Sequence, residues 1–269
     1  MHTDRGYALI TGASQGLGQA LALELSRQGF GVLLTARNGA ALRATAEKAA
    51  SISGLPGHVL EQDLTSSNAA ERVAQWAMGL GVPLVCLVNN AGQGLWGRFQ
   101  VLALEEQLAM LRLNMEVPVA LTHRLLPVLQ QRPRAWVLNV SSMTAYHALA
   151  TFAVYGGSNS FLLRWSRALL LELRGGPVTV PAVCPGSIIT GFTQRARMMA
   201  MDRLARRFGQ SPESVARTAV RSMLQGRAET VPGLLNKLTA GLQRLLPESV
   251  NERAASGIYL KHLPAAGKE

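Results

Sequence analysis

Tyr155 is the residue around which a reaction could be built. A phenol holds its proton up to about pH 10. Near neutrality it is an acid, and it serves as a base only where a nearby cation stabilises the phenolate. A side chain four positions along a helix lies one turn away on the same face. In the run YGGSN that position is Asn159. An amide donates a hydrogen bond but carries no charge, so Asn159 can position a partner while doing little to lower the phenol pKa. Arg164 lies more than another turn along, too far to take over. His147, in the stretch before Tyr155, is either a second cation within reach of the phenol or an exposed loop residue.

A second cluster is TGASQGLG, residues 11–18, where an apolar run ends and a helical pattern begins. Gly12 permits a tight turn, and Gly16 and Gly18 let backbone approach a pyrophosphate and let the helix pack closely. Ser14, Gln15 and Leu17 complete the loop. The N–H groups and positive dipole end of the following helix favour phosphate.

Apolar runs at 7–10, 32–36, 57–64, 84–92, 135–142 and 178–186 alternate with helical patterns over 17–29, 40–51, a stretch ending near Trp76, 104–130 and 152–173. Strands this continuously apolar are buried on both faces and so lie inside a parallel sheet. The prediction is an α/β fold with a doubly wound parallel sheet, binding its ligand at the carboxyl ends of the strands. Beyond residue 190 the pattern turns helical. Ser211, followed by Pro212 and Glu213, reads as a helix start, and AETVPG as a last short strand. In 234–246 leucines recur at helical spacing around Lys237 and Arg244, an amphipathic pattern.

Composition sets the class. The 269 residues are 48% hydrophobic and 16% charged, which suits one globular unit rather than a disordered chain. Cys86 and Cys184 sit in apolar stretches and read as buried thiols, not as disulfide or metal ligands, which suits a reducing, cytoplasmic setting. No signal segment or membrane-spanning run is legible. The net charge is +11, and from Gly191 onward 13 Lys and Arg face 6 Asp and Glu. That excess is a solvated basic face or a surface for a membrane or an acidic carrier protein. No nucleic-acid motif accompanies it.

Further motifs stand in order: Asp63 after the third strand, NNAG (89–92) after the fourth, Asn114 in the long helix, NVSS (139–142) after the fifth, Tyr155, and PGSIIT (185–190) after the sixth. With the glycine loop they make the chain resemble the short-chain dehydrogenase/reductase family over about residues 5–230, which implies a Rossmann fold. The resemblance also implies roles. Gly12, Ser14, Gln15, Gly16, Leu17 and Gly18 would hold a pyrophosphate, and Asp63 and Leu64 the adenine. Asn90, Ala91 and Gly92 would line the adenosine ribose, and Pro185, Gly186, Ile188 and Thr190 would cup the nicotinamide. Ser142 would hydrogen-bond a substrate carbonyl, with Tyr155 moving the proton. Relatives carry a lysine where this chain has Asn159. There it holds the nicotinamide ribose, lowers the tyrosine pKa and meets the helix asparagine, here Asn114, through water.

An NAD site would place an acid after the second strand to take the ribose hydroxyls. Arg37 stands there instead and suits a 2′-phosphate, which predicts NADP(H). The alternative is a surface arginine capping the next turn. Two functions fit: a reductase of ketones, or an NADP(H)-binding protein whose redox chemistry is lost or altered to dehydratase-like work. Residues 187–210 would form a lid in which Met198, Met199, Met201 and Phe208 offer adaptable apolar contact, pointing to a bulky apolar substrate. Residues 1–232 would form the main domain and 233–269 a basic helical extension. The helices at 104–130 and 160–173 would pair across a two-fold axis in a homodimer or homotetramer.

Overall fold

In chain order the elements are β1 (Tyr7–Thr11), α1 (Gly16–Arg27), β2 (Gly31–Ala36), α2 (Gly39–Ser53), β3 (His58–Glu61), α3 (Ala69–Gly79), β4 (Leu84–Asn89), α4 (Leu104–Leu111), α5 (Val117–Gln130), β5 (Ala135–Val140), α6 (Ala153–Glu172), β6 (Val178–Thr179), β7 (Ala182–Val183), α7 (Pro212–Leu224), β8 (Glu229–Thr230), α8 (Leu234–Gln243) and α9 (Glu248–Lys261). They belong to a computed structural model that describes residues 5–192, 196, 198, 209–243 and 247–263. The strands pair in parallel in the order β3-β2-β1-β4-β5-β7-β8, with β6 also on β5.

The inner strands β1, β2 and β4 are buried along their whole length, as their unbroken apolar runs predict. Alternate residues serve opposite faces. Ile10, Leu34, Val88 and Leu138 pack under α1, α2 and α7, while Leu9, Leu33, Leu87 and Val137 pack under α3 and α5. The chain winds from β1 out to β3, then crosses to β4 on the other side of β1. A crevice opens where the winding reverses, at the carboxyl ends of β1 and β4.

The structure differs from the sequence reading in three places. The helix expected over 104–130 is divided by a π-turn, Arg112–Glu116, between α4 and α5. The Val117 N–H reaches back to the Arg112 carbonyl, and Pro118 has no N–H to give residue 114, so one regular helical bond is lost there. The sixth strand is interrupted between β6 and β7, where Pro181 cannot donate to a ladder. Its carbonyl still accepts from Asn139 N at 3.0 Å. The C-terminal segment carries a second helix, α9, that the sequence reading did not contain.

Two expectations hold in detail. Ser211 Oγ accepts the Ser214 N–H at 3.2 Å and caps α7, and Glu229–Thr230 adds the last strand. Cys86 and Cys184 are buried and unpaired. Among the described residues no helix is long and apolar enough to cross a membrane. Most of the expected lid, including Met199, Met201 and Phe208, lies outside the described residues.

Candidate active site

A cavity of about 780 Å³ runs along the carboxyl ends of β1, β4 and β5. Every residue expected at the site lines it except Pro185, whose carbonyl instead accepts from Met143 N at 2.9 Å and ties the loop after β7 to the one after β5. The cavity has a glycine end and an aromatic end, and Tyr155 lies between them.

At the glycine end the chain turns sharply after β1. Gly12 and Gly16 have φ of 68° and 60°, a region costly for other residues. A Cβ on Gly18 would lie 2.2 Å from the Gly12 carbonyl oxygen and 2.5 Å from Asn90 Nδ2, so no side chain fits. Thr11 Oγ1 accepts from Asn90 N and Ala91 N, both at 3.0 Å, and donates to the Val88 carbonyl at 3.2 Å. Asn90 Nδ2 donates to the Thr11 carbonyl at 2.9 Å. Asn90 therefore spends its amide on bracing the glycine turn against β4. Helix α1 opens on this turn with no side-chain cap and no acid in its first turn, leaving its N–H groups for an anion. This is a cradle that a pyrophosphate fits.

Arg37 stands exposed at the mouth, with no ion-pair partner among the described residues. The cap of α2 is Asn38, whose Oδ1 accepts from Ala41 N at 3.0 Å, so Arg37 is not used as a cap. Across the mouth, Asp63 accepts from Thr65 N at 2.9 Å and Thr65 Oγ1 at 2.7 Å. Those bonds hold its carboxyl below the usual range, and the Arg37 charge adds to them.

In the middle, Ser142 and Asn159 reach the Tyr155 phenol. Burial pushes this phenol above its ordinary value. Hydrogen bonds with Ser142 and Asn159 pull the other way, and the nearby Tyr259 hydroxyl adds to the rise. Asn159 is 7% exposed, and its Nδ2 donates to the Tyr155 carbonyl at 2.9 Å. Ser158, which the sequence reading did not single out, donates to the same carbonyl at 2.8 Å and accepts from Asn114 Nδ2 at 3.1 Å. Asn114 sits in the π-turn and clamps Gln93, giving Nδ2 to its carbonyl at 2.9 Å and taking its N–H at 3.0 Å. The turn thereby aims an asparagine at both the NNAG loop and α6. Arg37 is the one cation lining the cavity among the described residues, and it is at the far end. His147 does not line the cavity. Burial holds its imidazole below the ordinary range, against the opposing pull of Glu252.

At the aromatic end Tyr155 packs between Phe152 and Phe192, with ring centroids 5.7 and 5.8 Å apart. Trp96 is fastened from its Nε1 to Thr151 Oγ1 at 2.8 Å. Thr151 is held at φ 72°, a strained state for a β-branched residue. Met198 and Tyr259 complete the wall. Sequence patterning offered no sign of Phe152, Phe192 or Tyr259, because each belongs to a different segment.

A family model described as short chain dehydrogenase matches residues 6–200. The chain is 30% identical over 240 residues to the ketoacyl reductase HetN of Nostoc sp. (strain PCC 7120 / SAG 25.82 / UTEX 2576), covering 88% of this chain and 82% of that protein. It is 26% identical over 243 residues to 17-beta-hydroxysteroid dehydrogenase type 3 of Homo sapiens, covering 90% and 75%. A solved short-chain dehydrogenase from Sphingobium yanoikuyae, in complex with NADPH, matches 98% of both chains with a TM-score of 0.79 at 24% identity. The matched span runs from β1 through α6 and the loop after β7, and so takes in the glycine turn, Asn114, Ser142 and Tyr155; the chain belongs to the short chain dehydrogenase family.

Proposed function

We propose that this protein is an NADP(H)-dependent oxidoreductase that interconverts a ketone and a secondary alcohol, working mainly as a reductase on a bulky apolar carbonyl compound. The observation that carries this reading is Tyr155. Its phenol is kept protonated by burial, touched by Ser142 and Asn159, and stands at the junction of a phosphate cradle and an apolar chamber.

Gly12, Gly16, Gly18 and the open end of α1 would hold the pyrophosphate, and the unpaired Arg37 would take the 2′-phosphate of NADP(H). When bound, the cofactor supplies or accepts the hydride. Ser142 donates a hydrogen bond to the substrate carbonyl oxygen and fixes its place. Tyr155 gives that oxygen its proton and regains one from solvent. Asn159 spends one N–H on the Tyr155 carbonyl and the other on the Tyr155 phenol, so its amide oxygen would be what accepts from a nicotinamide ribose hydroxyl. The link that relatives make through lysine and water is replaced by Asn114, Ser158 and the Tyr155 carbonyl, all in direct contact. This arrangement positions without adding charge, so the site favours the direction that consumes a neutral phenol.

Mixing the protein with NADPH and a panel of bulky ketones tests the reading. Cofactor absorbance should fall and a secondary alcohol should form. The rival reading, a cofactor-binding chain without redox chemistry, draws on the lack of a cation beside Tyr155 among the described lining residues. It takes over if no ketone is reduced and Asn159→Lys restores nothing.

Two partner expectations belong to this reading. Leu104 and Leu108 of α4 and Leu171 of α6 are exposed, which supports a homodimer or homotetramer through those helices, checked by light scattering. On α8, Leu234, Leu235 and Leu238 are 75%, 62% and 62% exposed. Each leaves about 1–2 kcal/mol of burial unused, beside Lys237. Contact with an anionic membrane surface or an acidic carrier fits that face, and liposome flotation at low and high salt checks it.

A further inference from the structure

We propose that Tyr259, carried by the C-terminal helix α9, reads a second oxygen on the substrate, so that the preferred substrate is a bulky ketone bearing a hydroxyl or carbonyl remote from the reacting one. The inference rests on the reductase reading for where the reacting carbonyl sits, at Tyr155.

Tyr259 lines the cavity, yet it lies more than 100 residues from the catalytic tyrosine in the chain. Two bonds to the loop before α6 set its place. Glu252 Oε1 accepts from Ala148 N at 3.3 Å, and Ser256 Oγ accepts from Ala150 N at 2.9 Å. Glu252, Ser256 and Tyr259 are spaced four and then three apart, so they share one helix face. Fastening the first two turns the third inward. Its ring stands edge-on to Phe152 at 5.1 Å and 89°, and Phe152 in turn contacts the Tyr155 ring at 5.7 Å. Tyr259 is thus two ring-to-ring steps from the reacting phenol.

The cavity beside them is walled by Phe152, Phe192 and Met198. Within it the Tyr259 hydroxyl has no hydrogen-bond partner among the described residues. A substrate that covers this hydroxyl with carbon leaves a buried polar group unpaired, which is costly. A substrate that brings an oxygen there pairs it. The difference separates two otherwise similar ketones, because a site built around a hydrogen bond rejects the analogue lacking it.

The probes are benzophenone and 4-hydroxybenzophenone, two-ring ketones that differ by one remote hydroxyl. Binding is measured by calorimetry on the full chain with NADP⁺ present, under which no hydride is available and no turnover occurs. The parent protein should bind the hydroxylated ketone about 5-fold or more tightly than benzophenone. Tyr259→Phe should erase that preference while leaving benzophenone and NADP⁺ affinity within about 2-fold of the parent, which also certifies that the variant is folded. With NADPH, the same variant should raise KM for the hydroxylated ketone several-fold more than for benzophenone. The proposal is overturned if the parent has no preference, if neither ketone binds, or if the preference survives Tyr259→Phe. If the preference is present and lost as expected but NADPH reduces no ketone of the wider panel and Asn159→Lys restores nothing, Tyr259 keeps its role and the reductase reading fails alone.

Discussion

At the glycine end of the cavity, Thr11, Gly12, Gly18 and Asn90 are joined by hydrogen bonds and backbone contacts at the tips of two adjacent strands. At the aromatic end, Phe152, Phe192 and Tyr259 come from three separate segments and meet by ring packing around Tyr155. The first is made of backbone and has no slack, since a single Cβ at position 18 collides with a carbonyl. The second is made of side chains and can be re-shaped one residue at a time. Backbone geometry suits a ligand that never varies, such as a dinucleotide, and side-chain packing suits one that differs from protein to protein. Tyr155 belongs to both, through its hydroxyl to one end and its ring to the other.

The largest effect of a single change falls at that junction. Tyr155→Phe should lower turnover in both directions by about 10³-fold, the scale of losing a positioned proton donor. The ring contacts with Phe152 and Phe192 should survive, so NADPH affinity by fluorescence titration should stay within about 2-fold. A large loss of cofactor affinity would mean that the two ends are not separable.

Gly18→Ala probes the end without slack. The new Cβ meets the Gly12 carbonyl as well as the Asn90 amide that braces it, so the turn must move. NADPH affinity should fall about 100-fold, near 2.7 kcal/mol, with ketone binding at the other end less affected. Tight NADPH binding in this variant would remove the cradle argument.

Arg37→Asp sharpens the same end. The parent should bind NADPH at least ~10-fold more tightly than NADH, about 1.4 kcal/mol, and the variant should reverse that order. Equal affinities in the parent would leave the 2′-phosphate without its partner.

The smallest effect is one of pH. Burial raises the Tyr155 phenol, so its neutral form persists above the ordinary titration range. Reduction consumes the neutral form, and its rate should stay flat through neutral pH. Oxidation needs the phenolate, so its rate should climb with pH. Asn159→Lys brings an ammonium beside the phenol and should move the oxidative limb down by about one unit. An unmoved limb would mean that the phenol is already tuned by another group, and His147, off the cavity and with its imidazole pushed below the ordinary range by burial, would be a poor choice for it.

The sheet and the glycine turn were legible in the residues because their causes are local. Unbroken runs such as YALIT and GVLLTA bury both faces wherever they are placed, and Gly12, Gly16 and Gly18 answer to backbone geometry within eight positions. Arg37 and Tyr155 were legible from their own chemistry, and Asp63, Asn114 and Ser142 through the resemblance of their motifs to the family's; each follows a strand or sits on a helix beside one, and parallel winding brings those ends to one edge. What tertiary structure alone decided depends on residues far apart. The long helix read as unbroken, and only the structure showed the π-turn before Pro118, with Asn114 clamped on Gln93. Position 159 told of a missing charge, and only the packing of α6 on the π-turn made Ser158 the link to Asn114. No spacing marked Tyr259, because its place in the cavity comes from two hydrogen bonds between α9 and a loop some hundred residues earlier, and pairings over such separations are set by the folded chain as a whole.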